Sequence, residues 1–109
     1  MAEVRRGEVW LVDLGYVAKV RPCLVVSVEP GSSERDLVTL VPHTTTPRES
    51  RFEAALAVRF LREGAFDSQS LVTVPRGKLI RRLGVLSPEQ IREIDRLLAT
   101  WLGLPGVTP

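Results

Sequence analysis

Short hydrophobic runs, each ended by proline, glycine or serine, occupy much of the chain before its last quarter and predict five β-strands. The clearest alternation is FEAALAV, in which Phe52, Ala54, Leu56 and Val58 fall on one side. The five strands are predicted at residues 8–14, 23–28, 37–41, 52–58 and 70–74. Strands of this length and spacing favour a small antiparallel sheet or barrel.

Near the C-terminus the spacing of hydrophobic residues changes from that of a strand to that of a helix, and one amphipathic helix is predicted. Ser87 is followed by Pro88 and Gln90, which is typical of an N-cap, a first helical position and a capping box. Gly103 is typical of the residue at which a helix ends. Between them one apolar stripe recurs at helical spacing, at Ile91, Ile94, Leu98 and Trp101. The expected fold is therefore α+β or mainly β, a small antiparallel barrel with this helix packed against it.

Length and residue usage exclude several classes of protein. The 109 residues, 44% of them hydrophobic, fit one domain over residues 1–109. No apolar stretch is long enough for a membrane span, and the N-terminus lacks a signal-peptide layout, so we expect a cytoplasmic protein. Cys23 is the only cysteine and His43 the only histidine. An internal disulfide and the common multi-Cys or multi-His metal centres are therefore excluded.

The basic residues are mostly arginine. Of fifteen Lys and Arg residues, all but Lys19 and Lys78 are Arg, although the net charge is only +2. Arginine binds phosphate through two parallel hydrogen bonds and stays charged at every physiological pH. With a pI near 9.2, this composition weakly favours a nucleic-acid partner.

The motifs of the chain come in a characteristic order. RGEVW at residues 6–10 opens the first run, RP at 21–22 leads into LVVS, and the third run ends at Thr44. DS at residues 67–68 precedes the fifth run, and an amphipathic helix closes the chain. In this order the motifs resemble MazF/PemK-type toxins of type II toxin–antitoxin systems, over a core of about residues 6–104. The resemblance implies an SH3-like barrel with a C-terminal helix.

The resemblance also implies an activity. Proteins of this type are endoribonucleases that cut single-stranded RNA at short motifs without metal or other cofactor, through attack of a ribose 2′-hydroxyl on the adjacent phosphate. It implies a homodimer that a cognate antitoxin protein neutralises. The catalytic arginine of the RP motif corresponds to Arg21, and the catalytic threonine after the third strand corresponds to Thr44.

The chemistry of these two side chains suits that reaction. A guanidinium binds two phosphoryl oxygens and offsets the negative charge that grows on phosphorus in the transition state. Pro22 restricts Arg21 to extended backbone, so the guanidinium is expected at the entrance of a strand. Thr44 offers a small hydroxyl that donates and accepts hydrogen bonds. We expect it to hold the 2′-oxygen or a phosphoryl oxygen in position.

Further residues are candidates for RNA contacts. Thr45 and Thr46 extend the hydroxyl-rich segment, and Arg48 follows it. His43 is a common acid–base residue type, yet successive strand side chains face opposite ways, so it could diverge from Thr44 into the core. A basic cluster at residues 76–82 either tracks phosphates or forms a solvated loop before the helix; Arg76 and Lys78 are its candidate RNA contacts.

Two features depart from the pattern of the family, and one alternative function stays open. The first loop is short, residues 15–20, and the predicted fifth strand has no carboxylate. The alternative is a catalytically silent SH3-like module that binds nucleic acid. Recognition of proline-rich peptides is disfavoured, since aromatic residues make up only 6% of the chain.

Overall fold

The computed structural model describes residues 3–106, and these form seven strands and two helices. Two 3₁₀ turns, Ser68–Ser70 and Arg76–Lys78, lie before and after the sixth strand. The elements in chain order are β1 (Glu8–Asp13), α1 (Gly15–Ala18), β2 (Val20–Val25), β3 (Leu37–Thr44), β4 (Glu53–Ala54), β5 (Ala65–Asp67), β6 (Val72–Pro75), β7 (Leu79–Val85) and α2 (Pro88–Leu102).

The strands form one antiparallel sheet in the order β4-β5-β3-β2-β1-β7, and β6 also pairs with β3. The outer edge of β3 is shared between two partners. Its first half, Leu37 to Leu40, pairs with β6, and its end, His43 and Thr44, pairs with β5. Because β6 and β7 are joined by the short turn Arg76–Lys78, the sheet curves back on itself, as in a small SH3-like barrel.

Alternating side chains of the central strands fill two separate cores. On β1, Val9 enters the core beneath α2, whereas Trp10 and Val12 enter the other. The first core also contains Leu24, Val41, Phe66 and Ile94, and the second contains Cys23, Val25, Val38 and Leu40. This is the two-residue period of a strand that is buried on both faces.

The predicted C-terminal helix is confirmed, together with its ends. The Ser87 hydroxyl accepts from the Gln90 backbone N–H, and the Gln90 side chain accepts from the Ser87 backbone N–H. Gly103 ends the helix with φ 66°, a conformation in which glycine carries no steric penalty. The stripe buries Ile94 and Leu98. Trp101 remains 42% exposed with its ring against Phe52, so the expectation that it belongs to the core was only partly right.

Three sequence expectations were wrong. Only Glu53–Ala54 of the predicted fourth strand is a strand, because Leu56 and Val58 pack on the core from irregular backbone. The short strand β5 was not predicted. The basic cluster at 76–82 is not a loop throughout, because residues 79–82 belong to the edge strand β7. The consecutive charges Arg81 and Arg82 hide the alternation of polar and apolar residues that would have predicted this strand.

A buried carboxylate, Glu8, binds one of the two consecutive arginines of β7. Glu8, 6% exposed, accepts hydrogen bonds from the Arg5 backbone N–H, the Trp10 indole and Arg82. Burial raises the pKa of Glu8, but these hydrogen bonds outweigh it and hold the pKa below its ordinary value. Arg82 is thereby tied to Glu8, and Arg81 is left on the other face of β7.

No helix within residues 3–106 combines the length and the apolar character needed to cross a membrane.

Candidate active site

Arg21 lies at the start of β2, where α1 returns the chain to the sheet. Lys19 adopts a positive φ of 60°, and its backbone N–H donates to the Gly15 carbonyl oxygen over 2.7 Å, which closes the tight turn. The Arg21 Nε donates to the Ala18 carbonyl oxygen over 3.0 Å. One edge of the guanidinium is therefore held by the turn, and the terminal nitrogens remain free to bind an anion.

Thr44 is the last residue of the neighbouring strand β3, and because β2 and β3 are antiparallel it lies at the same end of the sheet as Arg21. Its Oγ1 accepts from the Thr46 backbone N–H over 3.1 Å and lies 3.3 Å from the Thr46 hydroxyl. This local hydrogen bond fixes the threonine rotamer. The half-buried Thr44 hydroxyl is thus held in a fixed place, and it shares either its proton or its second lone pair with the Thr46 hydroxyl.

A glycine allows β5 to reach the end of β3. A Cβ at Gly64 would lie 2.1 Å from the Thr44 carbonyl oxygen and 2.8 Å from His43 Cε1. No other residue fits at so short a distance from backbone atoms, so Gly64 is required for the pairing of Thr44 with Ala65. The position of Thr44 consequently depends on this contact.

Two cavities meet at Arg21 and Thr44. The first, here the basic cavity, has a volume of about 710 Å³; the second, the carboxylate cavity, has about 510 Å³. Both are lined by Arg21, Thr44, Thr46 and Ala18. The predicted catalytic arginine and threonine are therefore brought together, at the ridge between two open concave surfaces.

The basic cavity carries positive charge only. Its charged lining consists of Lys19, Arg21, Arg62 and Arg81, and within residues 3–106 no carboxylate lines it. None of these four side chains forms a salt bridge to a described residue. Unpaired cations in a concave surface concentrate field lines and attract anions. Apart from His43, the rest of its lining is hydroxyl-bearing or apolar.

The carboxylate cavity is different in charge. Glu53 and Asp67 face each other across the β4–β5 pair and both line it, together with Arg21 and Arg48. The backbone N–H groups of Arg48 and Ser50 donate to Glu53, and the first of these is the main cause that lowers the pKa of this carboxyl. The Asp67 carboxylate accepts from the Gln69 backbone N–H and the Ser70 hydroxyl.

His43 lies on the floor of the basic cavity beside Thr44. The residue is 5% exposed, and its ring packs edge-on against Phe66 with 5.0 Å between ring centroids. Burial lowers the pKa of His43, so the imidazole is neutral at pH 7. His43 and Thr44 do alternate on the strand, but both side chains reach the same cavity.

Comparison with known proteins shows the family to which the chain belongs. Residues 5–102 match the family described as PemK-like, MazF-like toxin of type II toxin–antitoxin system. The chain belongs to this family. The resemblance drawn from the motifs RGEVW and RP is thus confirmed for this MazF-like toxin.

Individual relatives agree with the family. The endoribonuclease MazF4 of Mycobacterium tuberculosis is 34% identical over 100 residues, which cover 92% of this toxin and 93% of that protein. A solved endoribonuclease in complex with its cognate antitoxin, from a mycobacterial species, has a TM-score of 0.81 at 31% identity and covers 94% and 98% of the two chains. For the M. tuberculosis toxin MazF-mt6 the TM-score is 0.75 at 25% identity, with 89% and 97% covered. The predicted fold, a mainly antiparallel sheet with a C-terminal helix, is confirmed.

The predicted RNA contacts of the MazF-like toxin fall into two groups. His43, Thr45 and Thr46 line the basic cavity, and Arg48 lines the carboxylate cavity. Arg76 and Lys78 line neither cavity. Arg76 pairs with Asp36 over 3.0 Å beside the first residue of β3, at the end of that strand opposite to Thr44. The structure therefore does not bring these two cations to the Arg21 site.

Sequence reasoning missed Phe60 and Arg62 of the basic cavity, and it included Arg81 in the basic cluster at 76–82 without choosing it as an RNA contact. Arg81 pairs in register with Leu11, and both side chains line the cavity. The register of β1 and β7 would have revealed Arg81, had residues 79–85 been recognised as a strand. Arg62 and Phe60 lie in irregular backbone between β4 and β5, and nothing in the sequence pattern distinguishes them.

Proposed function

We propose that this MazF-like toxin is an endoribonuclease that cuts single-stranded RNA where its two cavities meet, with Arg21 and Thr44 as catalytic residues. The observation that carries the proposal is the placement of both side chains on the ridge shared by the two cavities. Arg21 is held by its hydrogen bond to Ala18 and keeps its terminal nitrogens free, and the Thr44 hydroxyl is held in place by the backbone and hydroxyl of Thr46. Preorganised donors of this kind stabilise charge that develops in a transition state.

The reaction needs no nucleophile from the protein. The ribose 2′-oxygen loses its proton and forms a bond to phosphorus, the bond from phosphorus to the 5′-oxygen breaks, and that oxygen takes up a proton. The products are a 2′,3′-cyclic phosphate and a 5′-hydroxyl. The terminal nitrogens of Arg21 bind the phosphoryl oxygens, and the Thr44 hydroxyl orients the 2′-oxygen or a phosphoryl oxygen.

Single-stranded RNA is the substrate that the two cavities suit. Separate concave surfaces on either side of one phosphate can each receive a nucleotide whose base is unstacked, which a duplex does not offer. Lys19, Arg62 and Arg81 place positive charge beside the ridge for flanking phosphates. We further propose that the reaction is metal-independent, since the bonds to phosphorus form and break within the RNA, and water accepts the proton of the 2′-oxygen and supplies the proton of the 5′-oxygen.

We also propose a homodimer that acts in the cytoplasm and is neutralised by a cognate antitoxin protein. A groove of about 500 Å³ beside α2 is lined by apolar side chains, among them Leu71, Leu98, Leu102 and Leu104. Leu102 and Leu104 are each 52% exposed, and a partner chain on this groove would remove their apolar surface from water. An acidic and apolar antitoxin segment that folds on binding would suit both this groove and the basic cavity.

The experiment is an RNA-cleavage assay in the presence of EDTA. A long unstructured RNA is incubated with the wild type, Arg21→Ala, Thr44→Ala and the control Arg92→Ala, an exposed arginine on α2. We expect discrete fragments from the wild type and the control and intact RNA from the two site variants. RNA that the wild type binds but never cuts would favour the catalytically silent module instead.

A further inference from the structure

We propose that the basic cavity holds one unpaired nucleobase next to the cleaved phosphate, stacked on Phe60 and read at its edge by His43. The inference rests on the proposed function and adds to it the residues that determine base specificity. Neither side chain is needed for the phosphoryl chemistry assigned to Arg21 and Thr44. Three independent features of the cavity support this assignment: an available aromatic face, an unpartnered imidazole and uncompensated positive charge.

The first feature is the ring of Phe60, which packs directly against the backbone of Gly84. A Cβ at Gly84 would come within 2.5–2.7 Å of three carbon atoms of that ring, so the absence of a side chain at Gly84 is what admits it. Phe60 stays 36% exposed although it lines the cavity. An aromatic ring supported from behind by backbone and open in front is a stacking platform, and every nucleobase has a face that can use it.

The second feature is His43, a mostly buried side chain whose ring nitrogens have no protein partner in the described part of the chain. It is 5% exposed, lines the cavity, and within residues 3–106 its ring forms no hydrogen bond to protein. The Phe66 ring and the tight contact at Gly64 restrict the imidazole. The ring nitrogens are not sealed inside the protein, so they are open to the cavity and available to a ligand. A neutral imidazole offers one donor and one acceptor to a base edge.

The third feature is the charge around these two rings. Lys19, Arg62 and Arg81 join Arg21 in the lining, without a carboxylate from the described residues. A ligand that satisfies the cavity must therefore be both aromatic and anionic, which describes a nucleotide. The volume of about 710 Å³ is within the range of small-molecule sites. The carboxylate cavity lacks an aromatic side chain in its lining and contains Glu53 and Asp67, so it does not provide the same combination.

The test separates base binding from cutting. An RNA oligomer that contains the mapped cleavage motif carries a 2′-O-methyl group at the cleaved position, which prevents the reaction, and a single 2-aminopurine at each position in turn. We expect fluorescence quenching, the mark of stacking, at one base adjacent to the blocked phosphate. In Phe60→Leu the quenching is lost and binding is about tenfold weaker. Tyr16→Leu, which removes a fully exposed ring outside both cavities, keeps both properties.

Two further variants test the pocket by other means. Gly84→Ala places a methyl group where the ring lies and should reduce quenching at the same base, with folding checked by circular dichroism. His43→Leu should retain the quenching that marks stacking. When this variant cuts an unblocked RNA library, sequencing of the fragment ends should show a relaxed base preference at that one position. The wild type and Tyr16→Leu should share one preference.

The outcomes distinguish the two proposals. If the wild type cuts RNA and both Phe60→Leu and His43→Leu keep its base preference and its quenching, the base subsite is overturned and the nuclease proposal stands. If the wild type cuts no RNA, so that no motif can be mapped, the same measurement is made on single-stranded oligomers of varied sequence: quenching that Phe60→Leu abolishes supports the base-binding site and overturns cleavage, and absence of quenching overturns both proposals.

Discussion

The Arg21 guanidinium donates from Nε to the carbonyl oxygen of Ala18 over 3.0 Å, three residues earlier in the chain. This hydrogen bond belongs to the turn that ends α1, and Pro22 follows directly, so the side chain is restrained from both sides. The short first loop of the chain is thus an element that positions Arg21. Its helical turn presents the terminal nitrogens of the guanidinium to the ridge between the two cavities.

Arg21→Lys should lose most of the activity although it keeps the charge. A lysine ammonium cannot bind two phosphoryl oxygens in one plane or donate to Ala18 in the same way. We expect cleavage to slow on the order of 10²-fold, as for loss of a preorganised donor. The measurement is the initial rate on a fluorogenic RNA. Arg92→Lys on the exposed face of α2 is the matched control and should keep the wild-type rate; equal rates for both variants would refute the bidentate role.

Thr44→Val should slow cleavage by about 10²-fold while the fold is retained. Valine has the shape of threonine without its hydroxyl, so the Oγ1 contact to substrate is lost. The Thr46 backbone N–H that Oγ1 accepts from is exposed and can bind water instead. Thr44→Ser, which restores a hydroxyl, should recover most of the single-turnover rate. A valine variant as fast as the wild type would contradict the role of the hydroxyl, and a serine variant as slow as the valine variant would show that a hydroxyl without the methyl group does not restore activity.

Gly64→Ala should destabilise the protein and reduce its activity together. The added Cβ would lie 2.1 Å from the Thr44 carbonyl oxygen, so β3 and β5 must separate where Thr44 is positioned. We expect a loss of about 1–3 kcal/mol in the free energy of unfolding, typical of overpacking. The comparison is urea denaturation of Gly77→Ala, where a Cβ meets nothing within 4 Å. The close approach would be contradicted if the two variants had the same midpoint.

Stability should fall as the pH drops below about 6.5, and His43 should cause part of that fall. Burial lowers the pKa of His43 in the folded state, so the unfolded chain binds more protons as the pH falls through the ordinary value of 6.5. Stability rises with pH wherever the unfolded state binds more protons, so it is retained above that value and lost below it. Urea denaturation at pH 7.5 and 5.5 measures the difference. His43→Leu should show a smaller difference than the wild type; an equal one would show that His43 is not responsible.

The sequence predicted the parts of the fold that are local or strongly periodic. Ser87 and Gly103 mark the ends of α2 because capping depends on neighbouring residues. The strands that were missed, β5 and β7, are short or charged and exist because longer strands pair with them. Arg81 could not be assigned without that pairing, since only its register with Leu11 places it in the basic cavity. Phe60, in irregular backbone, contacts Gly84 of β7, a relationship that no spacing in the sequence encodes.

The central claim is that Arg21 and Thr44 act on an RNA phosphodiester through its own 2′-hydroxyl. The most direct measurement is mass spectrometry of fragments from a short RNA that carries the mapped motif, with EDTA present, beside the same RNA with a single 2′-deoxy sugar at the cleaved position. The account predicts 2′,3′-cyclic phosphate ends from the first RNA, and no fragments from the second RNA or from the Arg21→Ala protein. Fragments from the deoxy-substituted RNA, or from Arg21→Ala at the wild-type rate, would contradict it.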